Sequence, residues 1–194
     1  MAGIREIIAF WAGIGPAGWY VADPAQDERI RAAFLPDWEA ARAGQREGWV
    51  DGSEGSLAYL ILTDQFPRNM FRGDARSFAT DPQALAAARR ATEAGWDMGV
   101  AEPLRQFFYL PFMHSEDPGD QARCARLVAE RLPETGASTL LHARAHALVI
   151  ARFGRFPFRN AALGRETTAA EAAFLAQGGY AAALREVQVE GRAD

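Results

Sequence analysis

The chain has 194 residues, 49% of them hydrophobic and 24% charged, with a net charge of −4. That composition suits one globular domain with a substantial core, is short for two comfortable ones, and excludes a disordered or collagen-like polymer. The acidic balance argues against nucleic acid or an anionic membrane as the main partner, because both select a basic surface.

All 21 basic residues are arginine, the side chain best shaped for bidentate contact with carboxylates and phosphates. Cys124 is the only cysteine, so no intrachain disulfide forms, and a lone cysteine in an amphipathic helix reads as packing rather than as a nucleophile. Near the start, the uncharged run from Ile7 to Ala22 is broken by Gly13, Gly15, Pro16 and Gly18. It is too short to span a bilayer and lacks the basic flank of a targeting signal, so a cytoplasmic protein is expected.

Helix starts then punctuate the chain. Asp23-Pro24, Asp81-Pro82 and Asp117-Pro118 each put a carboxylate at an N-cap and proline at the first helical position, where its missing N–H is harmless. Glu102-Pro103 suggests another start, and Thr168 with Glu171 forms the pattern of a capping box. Ile30, Phe34, Leu35, Trp38 and Ala41 share one face at helical spacing; so do Leu57, Leu60 and Ile61, then Leu104, Phe107, Phe108 and Pro111, and later Leu141, Ala145 and Leu148. No alternating run of β-branched residues intervenes, and Ala84 to Ala91 favours helix further. The spacing predicts helices near 2–12, 24–43, 53–66, 74–79, 82–94, 103–114, 118–132, 137–153 and 168–177. The expected fold is all-α: about nine helices in stacked antiparallel hairpins, forming a single domain over 1–194 with a loosely ordered tail from about 186.

Three charged islands interrupt this pattern. In the first, 64–74, Asp64 lies three and four residues beyond Ile61 and Leu60, so helical geometry carries its carboxylate onto a buried face where it needs a partner. Arg68, Arg72 and Arg76 follow at four-residue intervals, with Asn69 among them. In the second, an apolar helix delivers His114 at its end, followed by Glu116 and Asp117; His114 suits proton transfer, or alternatively caps the helix. The third, 152–166, carries Arg152, Arg155, Arg159 and Arg165 before its only acid, beside Asn160 and among Phe153, Phe156 and Phe158, whose packing would hold the arginines still. Residues 114–120 hold acids and no base, while 152–165 hold bases and no acid. Opposite signs predict that these two islands touch, either as an internal ion-pair network or around a ligand.

His142 and His146 stand at i and i+4, a spacing that chelates zinc, but no glutamate follows His142 in the manner of a zinc protease. No metal and no cofactor is expected. The chain also lacks a Gly-x-Ser-x-Gly elbow, a phosphate-binding Gly-x-x-x-x-Gly-Lys loop and a dinucleotide fingerprint after a strand.

Asp64-Gln-Phe-Pro-Arg-Asn69 with Phe71-Arg-Gly73, Phe108 to Glu116, Ala151 to Pro157, Arg159-Asn160 and Leu163 to Glu166 together resemble a bacterial family, domain of unknown function 924. Ile8-Ala-Phe-Trp11 and Trp19-Tyr20 fit as well, so the resemblance runs over nearly the whole chain. It implies an all-helical, tetratricopeptide-like superhelical fold and no activity. It also implies a histidine at the position of Phe158, so a mechanism needing that imidazole does not carry over.

Three functions follow from the islands. The first is binding of a small anion or a peptide carboxylate by Arg68, Asn69, Arg72, Arg155, Arg159 and Asn160. The second is a hydrolase-type enzyme in the same pocket, with Asp64 or Glu116 as base and His114 as proton shuttle. The third is a scaffold that presents a helical groove to a protein partner.

Overall fold

In the computed structural model, which describes residues 1–190, the chain is helical with no strand among those residues. The helices are α1 (Ile4–Ile14), α2 (Pro24–Arg42), α3 (Ser53–Leu60), α4 (Phe66–Met70), α5 (Asp81–Glu93), α6 (Leu110–Met113), α7 (Pro118–Arg131), α8 (Gly136–Phe153), α9 (Ala169–Ala176) and α10 (Tyr180–Glu190). No helix among the described residues is long and apolar enough to cross a membrane.

Most expected caps are present. The Asp23 carboxylate accepts from the Ala25 amide at 2.9 Å, and that of Asp117 accepts from the Asp120 amide at 3.0 Å. Thr168 and Glu171 exchange bonds reciprocally at the start of α9. Asp81 departs from expectation: α5 begins at Asp81 itself, and the carboxylate accepts from Arg68 Nη2 at 3.0 Å instead of capping.

Two expected helices break where proline intrudes. The segment 53–66 becomes α3, a π turn over Ile61–Gln65, and α4. Pro67 has no N–H to offer the Thr63 carbonyl and its ring crowds that oxygen; the carbonyl turns to the Thr80 hydroxyl, which donates to it at 2.5 Å. The segment 103–114 becomes a 3-10 helix, Leu104–Phe108, followed by the short α6, because Pro111 does the same to the turn before it. At the other end, the tail expected to loosen from about 186 is helical as far as Glu190, and the rest of it lies outside the described residues.

The chain divides into two compact units, Met1–Pro111 and Phe112 onward. The division falls inside α6 and not in a Gly- or Ser-rich linker, so composition carries no sign of it. In the first unit, α1, α2, α3 and α4 close around aromatic rings: Phe34 stacks on Phe66 at 4.7 Å, Trp11 meets Phe66 edge-on at 5.7 Å, and Trp19 meets Phe107 at 4.9 Å. In the second, α8 packs against both α7 and α10, over a core of Val149, Ile150, Phe156, Phe174 and Ala183.

Removing the capping hydroxyl with Thr168→Ala should lower the unfolding free energy by about 1 kcal/mol, read as an earlier urea midpoint. An unchanged midpoint would mean that the box contributes nothing.

Candidate functional site

The first island is a closed ion-pair network within the first unit. Asp64, only 1% exposed on the π turn, accepts from Gln65 Nε2 at 2.5 Å and pairs with Arg68 Nη1 at 3.1 Å. Burial works against the Arg68 charge, but Asp64 and Asp81 outweigh it and raise the guanidinium pKa. Arg72 forks onto Asp27 through Nε at 2.5 Å and Nη2 at 2.9 Å, with a further bond to Asn69 Oδ1 at 2.8 Å. The Asn69 amide in turn donates to the Gln65 carbonyl at 3.1 Å. Any anion arriving at Arg68 or Arg72 therefore competes with a carboxylate already in place. Nearby, the Tyr20 hydroxyl donates to Gln106 Oε1 at 2.7 Å.

The second and third islands meet inside the second unit, as their opposite signs predict. Glu116 receives Arg165 in a fork, at 2.8 Å on Oε2 and 3.0 Å on Oε1, and the Phe156 amide donates to Oε1 at 2.8 Å. Burial opposes its ionisation, but Arg165, the Phe156 amide and the Arg159 charge hold its pKa below the usual carboxylate range. Arg155 grips Glu171 at 2.6 and 2.8 Å, and the Asn160 amide joins Glu171 at 3.3 Å. The Glu171 carboxyl is pulled down to about 2, first by Arg155 and then by the Thr168 amide. Arg159 is 7% exposed; its Nη2 donates to the His114 carbonyl at 3.0 Å and its guanidinium lies 4.7 Å over the Phe156 ring. The carbonyls at the end of α6 are met by Gln121, whose Nε2 donates to Met113 at 2.7 Å and to Ser115 at 2.6 Å.

A third feature is one that the sequence offers only as a zinc-chelating spacing: every histidine of the chain lies in this unit, with His142 and His146 against Tyr180 and His114 against His146. His142 and His146 occupy one face of α8. His142 Nδ1 is 2.5 Å from the Tyr180 hydroxyl, and the Tyr180 ring is 4.7 Å from that of His146. His146 also meets His114 at 6.2 Å and Phe156 at 5.4 Å. Its Nδ1 lies 2.8 Å from the His142 carbonyl, which only accepts, so in the neutral ring the proton sits on Nδ1 and Nε2 keeps its lone pair. Burial pushes the His146 pKa down to about 3, assisted by the positive charge of His114, Arg159 and His142; burial alone lowers that of His142. All four side chains are half-buried, so the patch is reachable. Among the described residues no group of three or more His, Cys, Asp or Glu is arranged to hold a metal. The i, i+4 histidine pair was the available signal. Tyr180 had none, since it opens a helix that the apolar spacing does not announce.

A model of a family described as bacterial protein of unknown function (DUF924) matches residues 7–179. The chain belongs to this family. It is also similar to the solved structure of a protein of unknown function from Agrobacterium tumefaciens, at 44% identity and a TM-score of 0.82, over 89% of this chain and 96% of that one. No curated protein matches. The family motifs thus map onto the Asp64, Glu116 and Arg155 networks, while the family itself assigns no chemistry to them.

The His146 shift sets a pH dependence. Below about pH 6.5 the unfolded chain takes up a proton that the folded ring refuses, so stability falls as pH drops from there toward 3 and is complete above it. Thermal midpoints should therefore decline between about pH 6.5 and 5.5, above most of the range where carboxylates titrate, and His146→Leu should make that decline shallower. An identical profile in the variant would contradict the assignment.

Proposed function

We propose that the protein binds a small anionic ligand on its second unit, where His114, His146, Tyr180 and Arg159 come together. The supporting observation is a concentration of protonatable and cationic groups around one half-buried imidazole, His146, that burial and those same neighbours keep neutral. An anion placed among them supplies the countercharge, so the imidazoles take up protons as it binds. Arg159 is the arginine whose charge acts on His146, and it also donates to the His114 carbonyl, with Asn160 next to it in the chain.

One observation favours an enzymatic extension. The tautomer of His146 leaves Nε2 as an acceptor, the arrangement a general base needs. With a pKa of about 3 it abstracts protons poorly until a bound anion raises it, so binding would precede chemistry. Glu116 suits that role less, since its two oxygens face Arg165 and the Phe156 amide.

Calorimetric titration of the intact protein with acetate and with inorganic phosphate, in two buffers of unlike ionisation heat, tests the reading. The expected result is net proton uptake, with affinity falling roughly tenfold per pH unit where a full proton is taken up. Absence of binding, or binding with no proton exchanged, would overturn it.

A further inference from the structure

We infer that α10 is a strap released by acid: docked on α8 it covers His142 and His146, and protonation of that pair lifts it while α7 and α8 stay folded. The inference is independent of the anion-binding reading, because it concerns what covers the imidazoles and not what they bind.

α10 has a light hold on the unit. It gives Ala183 and Val187 to the interior, and its Glu186 pairs with Arg152 at the surface, where such pairs contribute little. Tyr180, its first residue, seats it on α8. The Tyr180 ring lies parallel to that of His142 at 5.9 Å and 4.7 Å from that of His146, and the hydroxyl is 2.5 Å from His142 Nδ1. Immediately before it, Gly178 and Gly179 stand at φ of 107° and 55°, a backbone that residues with a side chain rarely adopt, so the strap joins α9 through a glycine hinge. α8 is held on other sides as well, by α7 and, through Val149 and Ile150, by Phe156 and Phe174. Phe158, expected to be tucked in with its neighbours, is 40% exposed and meets Tyr180 edge-on at 6.1 Å, so it seals the strap weakly.

Protonation works against that seating in two ways. A neutral His142 protonated on Nε2 accepts the phenolic hydrogen on Nδ1, whereas a doubly protonated ring has no lone pair to offer and the phenol must turn its hydrogen away. At His146 the cost is one of environment. The charges acting on it come from His142 one turn earlier on α8, from His114 just past the end of α6 and from Arg159 in the loop after α8, all positive, and neither α7 nor α10 supplies one that offsets them. On α10 itself Arg185 is exposed and Glu186 is engaged by Arg152, while burial keeps the Tyr180 phenol in its neutral form. The Tyr180 face attracts a cation, but water solvates it better than one ring does. Lifting α10 therefore admits water to the imidazoles and lets them charge. His146, held at about 3 when covered, returns toward the ordinary value near 6.5 when exposed, so docking is complete above about pH 6.5 and weakens as pH falls below it.

Hydrogen exchange of the intact protein at about pH 7.5 and about pH 5.5, read peptide by peptide and corrected for the intrinsic pH dependence of exchange, tests this. Protection of the α10 amides should fall about tenfold between the two, while that of α7 and the middle of α8 holds. The fall should shrink in His146→Leu, and equally in His146→Gln, which keeps a neutral polar group in place of the imidazole. Unchanged α10 protection in the wild type, equal loss over α7, α8 and α10, or a fall of undiminished size in both variants would overturn the inference.

Discussion

The carboxylate of Glu116 is the constraint on which the second unit depends. It stands between α6 and α7, and both its oxygens are engaged by the loop after α8, through Arg165 and the Phe156 amide. Those bonds place Phe156 in the core among Val149, Ile150 and Phe174. They also set Arg159 where it reaches the His114 carbonyl. Arg155, Glu171 and the capping box of α9 hold the far side of the same loop. Four arginines in so short a segment would repel one another without these acids, and a half-buried fork onto a carboxylate is the geometry in which such pairing is most effective.

The two units use their charges differently. In the first, the carboxylates of Asp64, Asp81 and Asp27 are matched to Arg68 and Arg72. Replacing one partner there leaves a buried charge uncompensated, which is why such networks serve architecture well. The second unit also holds a group of imidazoles, and positive charge from Arg159 and the other histidines acts on His146. Neutral histidine at that place is a consequence of burial first and of its positive neighbours second, and it makes the patch responsive to any added negative charge.

The all-helical fold was legible because caps and apolar spacing agreed over most of the chain, as at Asp23, Asp117 and Thr168. Asp81 misled, because a carboxylate before proline looks the same whether it caps its own helix or answers a distant guanidinium such as Arg68. Pro67 and Pro111 were visible as perturbations, but the form each perturbation took depended on where the released carbonyl found a donor. For Thr63 that donor is Thr80, which periodicity does not connect to it. The contact between the second and third islands was readable from their signs alone. The histidine patch was not, because Tyr180 joins it through α10, a helix anchored by little more than Ala183 and Val187 after two glycines.

His146 is held neutral by burial and by the positive groups around it, and its proton sits on Nδ1, facing the His142 carbonyl. A proton–nitrogen correlation spectrum of the imidazoles in the ligand-free protein at about pH 5, where an ordinary histidine is doubly protonated, tests it most directly. One protonated and one bare nitrogen are expected on His146, with the proton on Nδ1. An imidazolium there, or a neutral ring protonated on Nε2, would contradict it.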